Sequence, residues 1–174
     1  MKWIAIAGSW RHTNSEIENQ VREEARSLFA LGDGLVSGGA LGVDFFATDE
    51  ALQVGVDANR LKIIIPSTFE IYSAHYFYRA SEGVITHEQA ESLISQLETV
   101  RSIGCLIEGD TQIIDKVAYF NRITQIIDLA DELIAFHVNT TEGTQDTINK
   151  ARAKGIEVKV FSYAIKIDRT KPCP

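Results

Sequence analysis

"LVSGGALGVDFFATDEAL", residues 35–52, places a short apolar run directly before Gly38 and Gly39 and follows the glycines with an amphipathic stretch. A strand that passes into a helix through paired glycines, with Gly42 close behind, suits a point where something approaches the backbone closely. The same order recurs outward in both directions. "WIAIAG" (3–8) reads as a compact apolar strand. After it, Ile17, Val21, Ala25, Leu28 and Phe29 share one helical face, opened by Thr13 and Glu16 at capping-box spacing and closed at Gly32. The second helix starts at about Ala40 and buries Leu41, Phe45, Ala47 or Thr48, and Leu52. "LKIIIP" (61–66) is a third strand, stopped by Pro66. Farther on, "ELIAFHV" (132–138) reads as a strand, "EGTQDTINKARAKG" (142–155) as a helix ended by Gly155, and "IEVKVF" (156–161) as a strand. Strands this apolar, alternating with helices, predict an α/β fold: a single-domain, doubly wound, mainly parallel sheet of Rossmann-like type with helices on both faces.

The expected domain runs over residues 1–168, with an insertion at about 67–110 and a tail at 169–174. Within the insertion "STFEIYSAHYFYRASEGV" (67–84) is aromatic and irregular, whereas "THEQAESLISQLETVRSIG" (86–104) opens with Thr86 and Gln89 at capping-box spacing and reads as a helix. "CLIEG" (105–109) is either a short strand or a connection. "TQIIDKVAYFNRITQIIDLAD" (111–131) carries helical spacing through Ile113, Val117, Phe120, Ile127 and Ala130.

Composition narrows the function. No apolar run is long enough for a membrane span, and the apolar part of "MKWIAIAG" is too short for a signal peptide. No membrane partner is expected. Cys105 and Cys173 fit no metal or redox spacing, so a reducing, cytoplasmic setting is expected. His12, His75, His87 and His137 are scattered with no second ligand at metal spacing, and neither a metal nor a cofactor is expected. A net charge of −7 counts against a general positive field, so nucleic acid is not expected as a partner.

Ligands of open parallel sheets bind at the carboxyl ends of the strands. Gly8-Ser9-Trp10-Arg11 ends the first strand and Ser37-Gly38-Gly39-Ala40 the second, with Gly42 and Asp44 just beyond. Open amides at a helix start suit an anion, each charge-assisted hydrogen bond contributing about 1.5–3 kcal/mol and the helix dipole about 0.3–2 kcal/mol. The same glycines also serve a tight strand-to-helix turn that binds nothing. Gly143 and Thr144 open the last helix in an equivalent position, where a plain helix cap is the alternative. Asn121 and Arg122 lie in the preceding helix, and an arginine between Phe120 and Ile123 suits either a phosphate partner or a stem covering apolar surface. Neither a Walker lysine, a G-x-G-x-x-G nor a G-x-S-x-G elbow is present, so Ser9 and Ser37 read as binding hydroxyls rather than nucleophiles.

Together "IAIAGSW" (4–10), "LVSGGALGVD" (35–44), "NRITQIIDLADELIAF" (121–136) and "EGTQDTINKARAKGIEVKVF" (142–161) resemble the SLOG superfamily of Rossmann-like nucleotide-binding proteins, which includes the DNA-processing protein DprA and the LOG phosphoribohydrolases. The resemblance covers both ends of the chain but not residues 67–110. It implies a nucleotide or nucleotide-derived phosphorylated ligand, bound as by a sensor or carrier, with phosphate near Gly38, Gly39 and Gly143 and base or sugar near Gly8–Arg11. A homo-oligomer is also expected. LOG enzymes cleave the base–ribose bond of a nucleoside monophosphate, and Arg122 stands at the position of their arginine, which makes it the candidate catalytic residue. Their glutamate position holds Thr147, and their P-G-G is Asn139-Thr140-Thr141. An N-glycosidase would therefore need its carboxylate from Glu142, Asp44 or Asp146. A DprA-like nucleic-acid binder is the third reading, against which the net charge and the absence of an appended DNA-binding segment count.

Overall fold

Apolar alternation at period two builds the sheet, and the same alternation assigns each strand residue to one of two cores. The computed structural model describes residues 1–166. Six strands run β1 (Trp3–Gly8), β2 (Gly34–Gly38), β3 (Leu61–Ile65), β4 (Leu106–Glu108), β5 (Glu132–Val138) and β6 (Glu157–Tyr163). All neighbours pair in parallel, in the order β4-β3-β2-β1-β5-β6. Ile4, Ile6, Leu35, Ile63 and Phe136 face one side, with α1 (Ser15–Ala30), α2 (Val43–Gln53), α3 (Phe69–Ser81) and α4 (His87–Ser102) packed over them. Ala5, Val36, Ile64, Leu133 and Ala135 face the other side, covered by α5 (Lys116–Leu129) and α6 (Glu142–Lys154). Full burial of a Leu, Ile or Phe contributes about 1.5–3 kcal/mol, so both cores hold the sheet strongly. No helix among the described residues is long and apolar enough to cross a membrane.

Several boundaries differ from those expected. Asn14, rather than Thr13, caps α1 by accepting from the Ile17 amide. Helix α2 begins at Val43 rather than Ala40, because Gly42 at φ 72° lies outside helical backbone space. The aromatic stretch at 67–84 is largely helical: Thr68 caps α3, and Phe69, Tyr72 and Tyr76 form its buried face at i, i+3 and i+7. Helix α5 starts at Lys116 under the Asp115 side chain, leaving Ile113 before the helix and exposed, and Val117 exposed within it. "CLIEG" contributes β4, an edge strand. The Thr86–Gln89 capping box is present, and Gly155 ends α6 in the left-handed conformation. Residues 67–110 pack into the same core as α1 and α2 through Tyr72, Leu93 and Leu97. The tail at 169–174, with Cys173, lies outside the described residues.

Two contacts fix the end of the sheet where ligands bind in such folds. A Cβ on Gly42 would lie 2.3 Å from the Ser9 carbonyl oxygen, and one on Gly8 would lie 2.7 Å from the Phe136 carbonyl. The turn after β2 thereby rests directly on the turn after β1, tied by the Val43 amide donating to the Ser9 carbonyl at 3.1 Å. On the opposite face Lys150 donates to the Phe120 carbonyl, and Lys154 to those of Ile127, Asp128 and Ala130, which clamps α5 against α6.

Gly42→Ala combines a left-handed φ with a backbone clash, and it should lower unfolding free energy by about 2 kcal/mol or more. Gly143→Ala, whose Cβ meets nothing within 4 Å, should change stability by less than about 0.5 kcal/mol. Urea denaturation of both variants checks the pair.

Candidate functional site

The strand order reverses between β1, which pairs with β2 on one side, and β5 on the other. A doubly wound sheet opens a crevice beyond the carboxyl ends of its strands at such a point. Here it is a cleft of about 640 Å³. Of the residues expected at a site, Gly8, Ser9, Trp10, Arg11, Ala40, Asp44, Arg122, Gly143 and Thr144 line it. Ser37, Gly38, Gly39, Gly42 and Asn121 do not. A Cβ on Gly39 would meet Ile65 and Leu97 at 2.6 and 3.0 Å, so this glycine serves packing against α4. Ser37 donates to the Ile6 carbonyl at 2.7 Å, and Ser9 Oγ accepts from the His12 amide at 2.9 Å. Both hydroxyls therefore hold the turns that frame the cleft.

Gly38 has a different role. Its missing Cβ would lie 2.5 Å from Asp44 Oδ2 and 2.8 Å from Arg122 Cζ, so the space is filled by a carboxylate and a guanidinium. The two are 3.9 Å apart and both are buried. Burial raises the Asp44 carboxyl to about 7, against the opposing pull of Arg122 and the Ala40 amide. Arg122 donates from Nη1 to the Tyr72 hydroxyl at 3.5 Å and lies over the Tyr119 ring at 5.3 Å. Its Nε has no hydrogen-bond partner among the described residues, although the residue is only 8% exposed. A buried guanidinium with an unused donor is costly unless something supplies an acceptor.

The opposite wall can receive negative charge through the start of α6. Thr141 caps this helix with no side-chain bond to its amides, and the first helical bond runs from Gln145 N to Thr141 O. The amides of Glu142, Gly143 and Thr144 therefore have no acceptor among the described residues. With no side chain on Gly143 and open space beside it, an anion has access to them. Thr147 is buried and donates to the Gly143 carbonyl at 2.8 Å, so its hydroxyl is engaged within its own helix. Among the candidate carboxylates, Asp146 pairs with Lys150 and Glu142 pairs with Lys116 at the exposed rim. Asp44 alone of the three is buried.

Much of the remaining lining comes from residues that sequence patterning did not single out. Helix α3 contributes His75, Tyr76 and Arg79, and α5 contributes Lys116 and Tyr119. Burial pushes the Tyr72, Tyr76 and Tyr119 phenols up, which keeps them neutral hydrogen-bonding groups. His75 lies 3.3 Å from the Tyr119 hydroxyl, and burial followed by the charge of Arg79 lowers its pKa. The i, i+3, i+7 spacing of Phe69, Tyr72 and Tyr76 behind Thr68 was the available signal for α3. It was obscured by further apolar and aromatic residues, because Ile71, Phe77 and Tyr78 blur the apolar face. Apolar contact is offered by Val84, Ile85, Ile123 and Ile126, and the cations around the cleft are Arg11, Arg79, Lys116 and Arg122.

Solved structures share this architecture. DNA processing protein A from Helicobacter pylori, a structure described for its single-stranded DNA binding mode, is 21% identical with a TM-score of 0.64. The match covers 91% of this chain and 64% of that one, so this chain spans less than two thirds of the relative's length. The X-ray structure of TM1055 is 16% identical with a TM-score of 0.55, covering 91% of this chain and 72% of that one. DNA processing protein A (DprA) from Streptococcus pneumoniae is 16% identical with a TM-score of 0.50, covering 90% and 58%. At these identities the likeness establishes the fold. No curated protein matches the chain. The family model described as DNA recombination-mediator protein A matches residues 1–174. That match, with the Helicobacter pylori neighbour, overturns the expectation that nucleic acid can be set aside as a partner. The expectation rested on net charge, a sum over the whole surface, whereas a cleft gathers its own local cations. By the family match over its full length, the chain belongs to the DNA recombination-mediator protein A family.

Proposed function

We propose that the cleft between β1 and β5 binds a nucleotide through its phosphate. One observation carries this reading: the buried Arg122, with Nε unpartnered among the described residues, lines the same cleft as the three open amides at the start of α6. A phosphate between them would meet a guanidinium and a helix N-terminus together. Charge-assisted hydrogen bonds of this kind contribute about 1.5–3 kcal/mol each, enough for two or three to give affinity between about millimolar and micromolar. The aromatic and aliphatic wall from Tyr76, Tyr119, Phe120 and Ile123 suits a base or sugar.

The nucleotide has two sources of the same chemistry, a free mononucleotide or a unit of single-stranded DNA. The second is favoured by the family match and by the Helicobacter pylori protein, whose structure is described by its single-stranded DNA binding. Single-strand binding weakens with salt by about 0.7 log unit in affinity per log unit of salt for each phosphate neutralised. A titration with labelled oligothymidylate at several salt concentrations, with mononucleotide as competitor, separates the two sources.

A nucleoside monophosphate should stabilise the chain in thermal shift, and the matching nucleoside should do so far less. At about a hundredfold excess over Kd the stabilisation is roughly 2.7 kcal/mol. Gly143→Asp puts a carboxylate among the open amides, where the helix dipole favours it. The variant should stay folded by circular dichroism and lose the shift. Equal shifts for nucleoside and nucleotide, or a Gly143→Asp variant that binds like the parent, would reject the phosphate site.

Asp44 gives a pH test. Its folded value of about 7 exceeds the ordinary 3.8, so the native state holds this proton more tightly than the unfolded chain. Below about pH 4 both states are protonated and the group has no effect; between 4 and 7 the unfolded chain ionises first and the fold loses stability; above 7 the loss is complete. Asp44→Asn should remove this part of the slope, worth about 1.4 kcal/mol for each tenfold difference in proton affinity between the folded and unfolded chain, in urea midpoints measured from pH 4 to 8. The ionised carboxylate also competes with phosphate for Arg122. Nucleotide affinity at pH 8 should therefore be higher in Asp44→Asn than in the parent, and an unchanged affinity would count against a phosphate on Arg122.

A further inference from the structure

Phenylalanine fills a buried aromatic position as well as tyrosine does, so a phenol hydroxyl in a core needs a partner of its own. Tyr72, on α3, is fully buried and does not line the cleft. Its ring packs edge to face with that of Tyr76 at 5.0 Å between centroids, inside the core shared with α1 and α4. Its hydroxyl accepts from Arg122 Nη1 and donates to the Tyr76 hydroxyl, both at 3.5 Å. Asp44 Oδ2 stands 3.9 Å from Arg122 Nη2. The two Nη nitrogens are thus held from different elements, Nη1 from α3 and Nη2 from α2. Nε is the donor left without a partner among the described residues.

We infer that Tyr72 is a positioning residue: its hydroxyl holds the Arg122 guanidinium off Asp44 and keeps Nε for a phosphate, without touching the ligand itself. This rests on the reading of the cleft as a phosphate site and gives that site a residue from outside its lining. Opposite charges attract strongly where water is excluded, so charge alone would draw Arg122 fully onto Asp44 and use up its donors. The pair nevertheless stays at 3.9 Å. A neutral acceptor on the other Nη gives the guanidinium a second partner without a second charge, and burial keeps the Tyr72 phenol neutral. Both capacities of that hydroxyl are used in one direction, from Arg122 through Tyr72 to Tyr76. Tyr76 and Tyr119 stand nearby as phenols that burial also keeps neutral. Asp44 is the only carboxylate within ion-pair distance of Arg122 among the described residues. The balance on Arg122 is therefore struck between one carboxylate and one hydroxyl.

The test is a double-mutant cycle on the full chain, with 5′-phosphorylated thymidine titrated by calorimetry at pH 8, where Asp44 with its pKa of about 7 is ionised. Tyr72→Phe keeps the ring that fills the core and removes only the hydroxyl, so the variant should fold like the parent by circular dichroism. It should bind the probe about fivefold or more weakly, the size expected of one hydrogen bond. In an Asp44→Asn background, where no carboxylate draws Arg122 away, the same substitution should change affinity by less than about twofold. A loss of core packing would weaken binding whatever the charge at position 44, so the difference between the two backgrounds separates positioning from packing. An equal loss in both backgrounds would overturn the inference, as would a Tyr72→Phe variant that binds like the parent; either result leaves the cleft reading intact. A parent that takes up no 5′-phosphorylated thymidine would reject the cleft reading, and the role of Tyr72 with it.

Discussion

The space left by the missing Cβ of Gly38 is filled by Asp44 and Arg122, and the geometry of the cleft follows from that one buried contact. Asp44 reaches it from the first turn of α2, whose start is set by Gly42 pressed against Ser9. Arg122 reaches it from α5, which the lysines of α6 hold in place. Three elements from distant parts of the chain thus converge on an ion pair at the carboxyl end of β2. A buried pair 3.9 Å apart offsets only part of the desolvation of its members. The raised pKa of Asp44 is the expression of that deficit.

The deficit gives the cleft its character. Arg122 is paired loosely, shares a tyrosine hydroxyl at the outer limit of hydrogen bonding, and keeps one donor unused among the described residues. The first three α6 amides are equally free of acceptors among the described residues. Folding has left donors on two sides of one cavity without acceptors among the described residues, while the hydroxyls of Ser9, Ser37 and Thr147 are committed to the backbone. Hydrogen-bonding capacity left open in a concave, partly apolar site is available to a ligand. The tyrosines of α3 and α5, neutral through burial, tune that environment without adding charge.

The overall acidity of the chain is compatible with such a site because the charges are segregated. Glu18, Asp49 and Glu50 are tied up with Arg22 and Arg26 between α1 and α2. Arg11 and Arg122 stand at the cleft with one loose carboxylate partner between them. Local field depends on where charges stand and which are neutralised nearby, and a net count is blind to both. Membership of the DNA recombination-mediator protein A family is therefore consistent with a pI near 5.1.

The sequence by itself determined the parallel α/β architecture, since strands as apolar as "LKIII" and "ELIAFHV" can be satisfied only by helices on both faces of a sheet. Local signals also carried the Thr86–Gln89 capping box, the Gly155 helix stop and the importance of the strand-to-helix turns, because each depends on neighbours within a few residues. Whether a glycine faces a ligand or a packed side chain was decided only by tertiary structure. Gly38, Gly39 and Gly42 look alike in "SGGALG", yet they abut an ion pair, Leu97 of α4 and the backbone of the β1 turn respectively. The contribution of α3 was hidden for the same reason. Its buried face is distinguished from its exposed aromatics only by the sheet it packs against, and Tyr76 and His75 reach the cleft through that packing. Spacing along a chain records periodicity, but the partner across the gap is chosen by residues far away in the sequence.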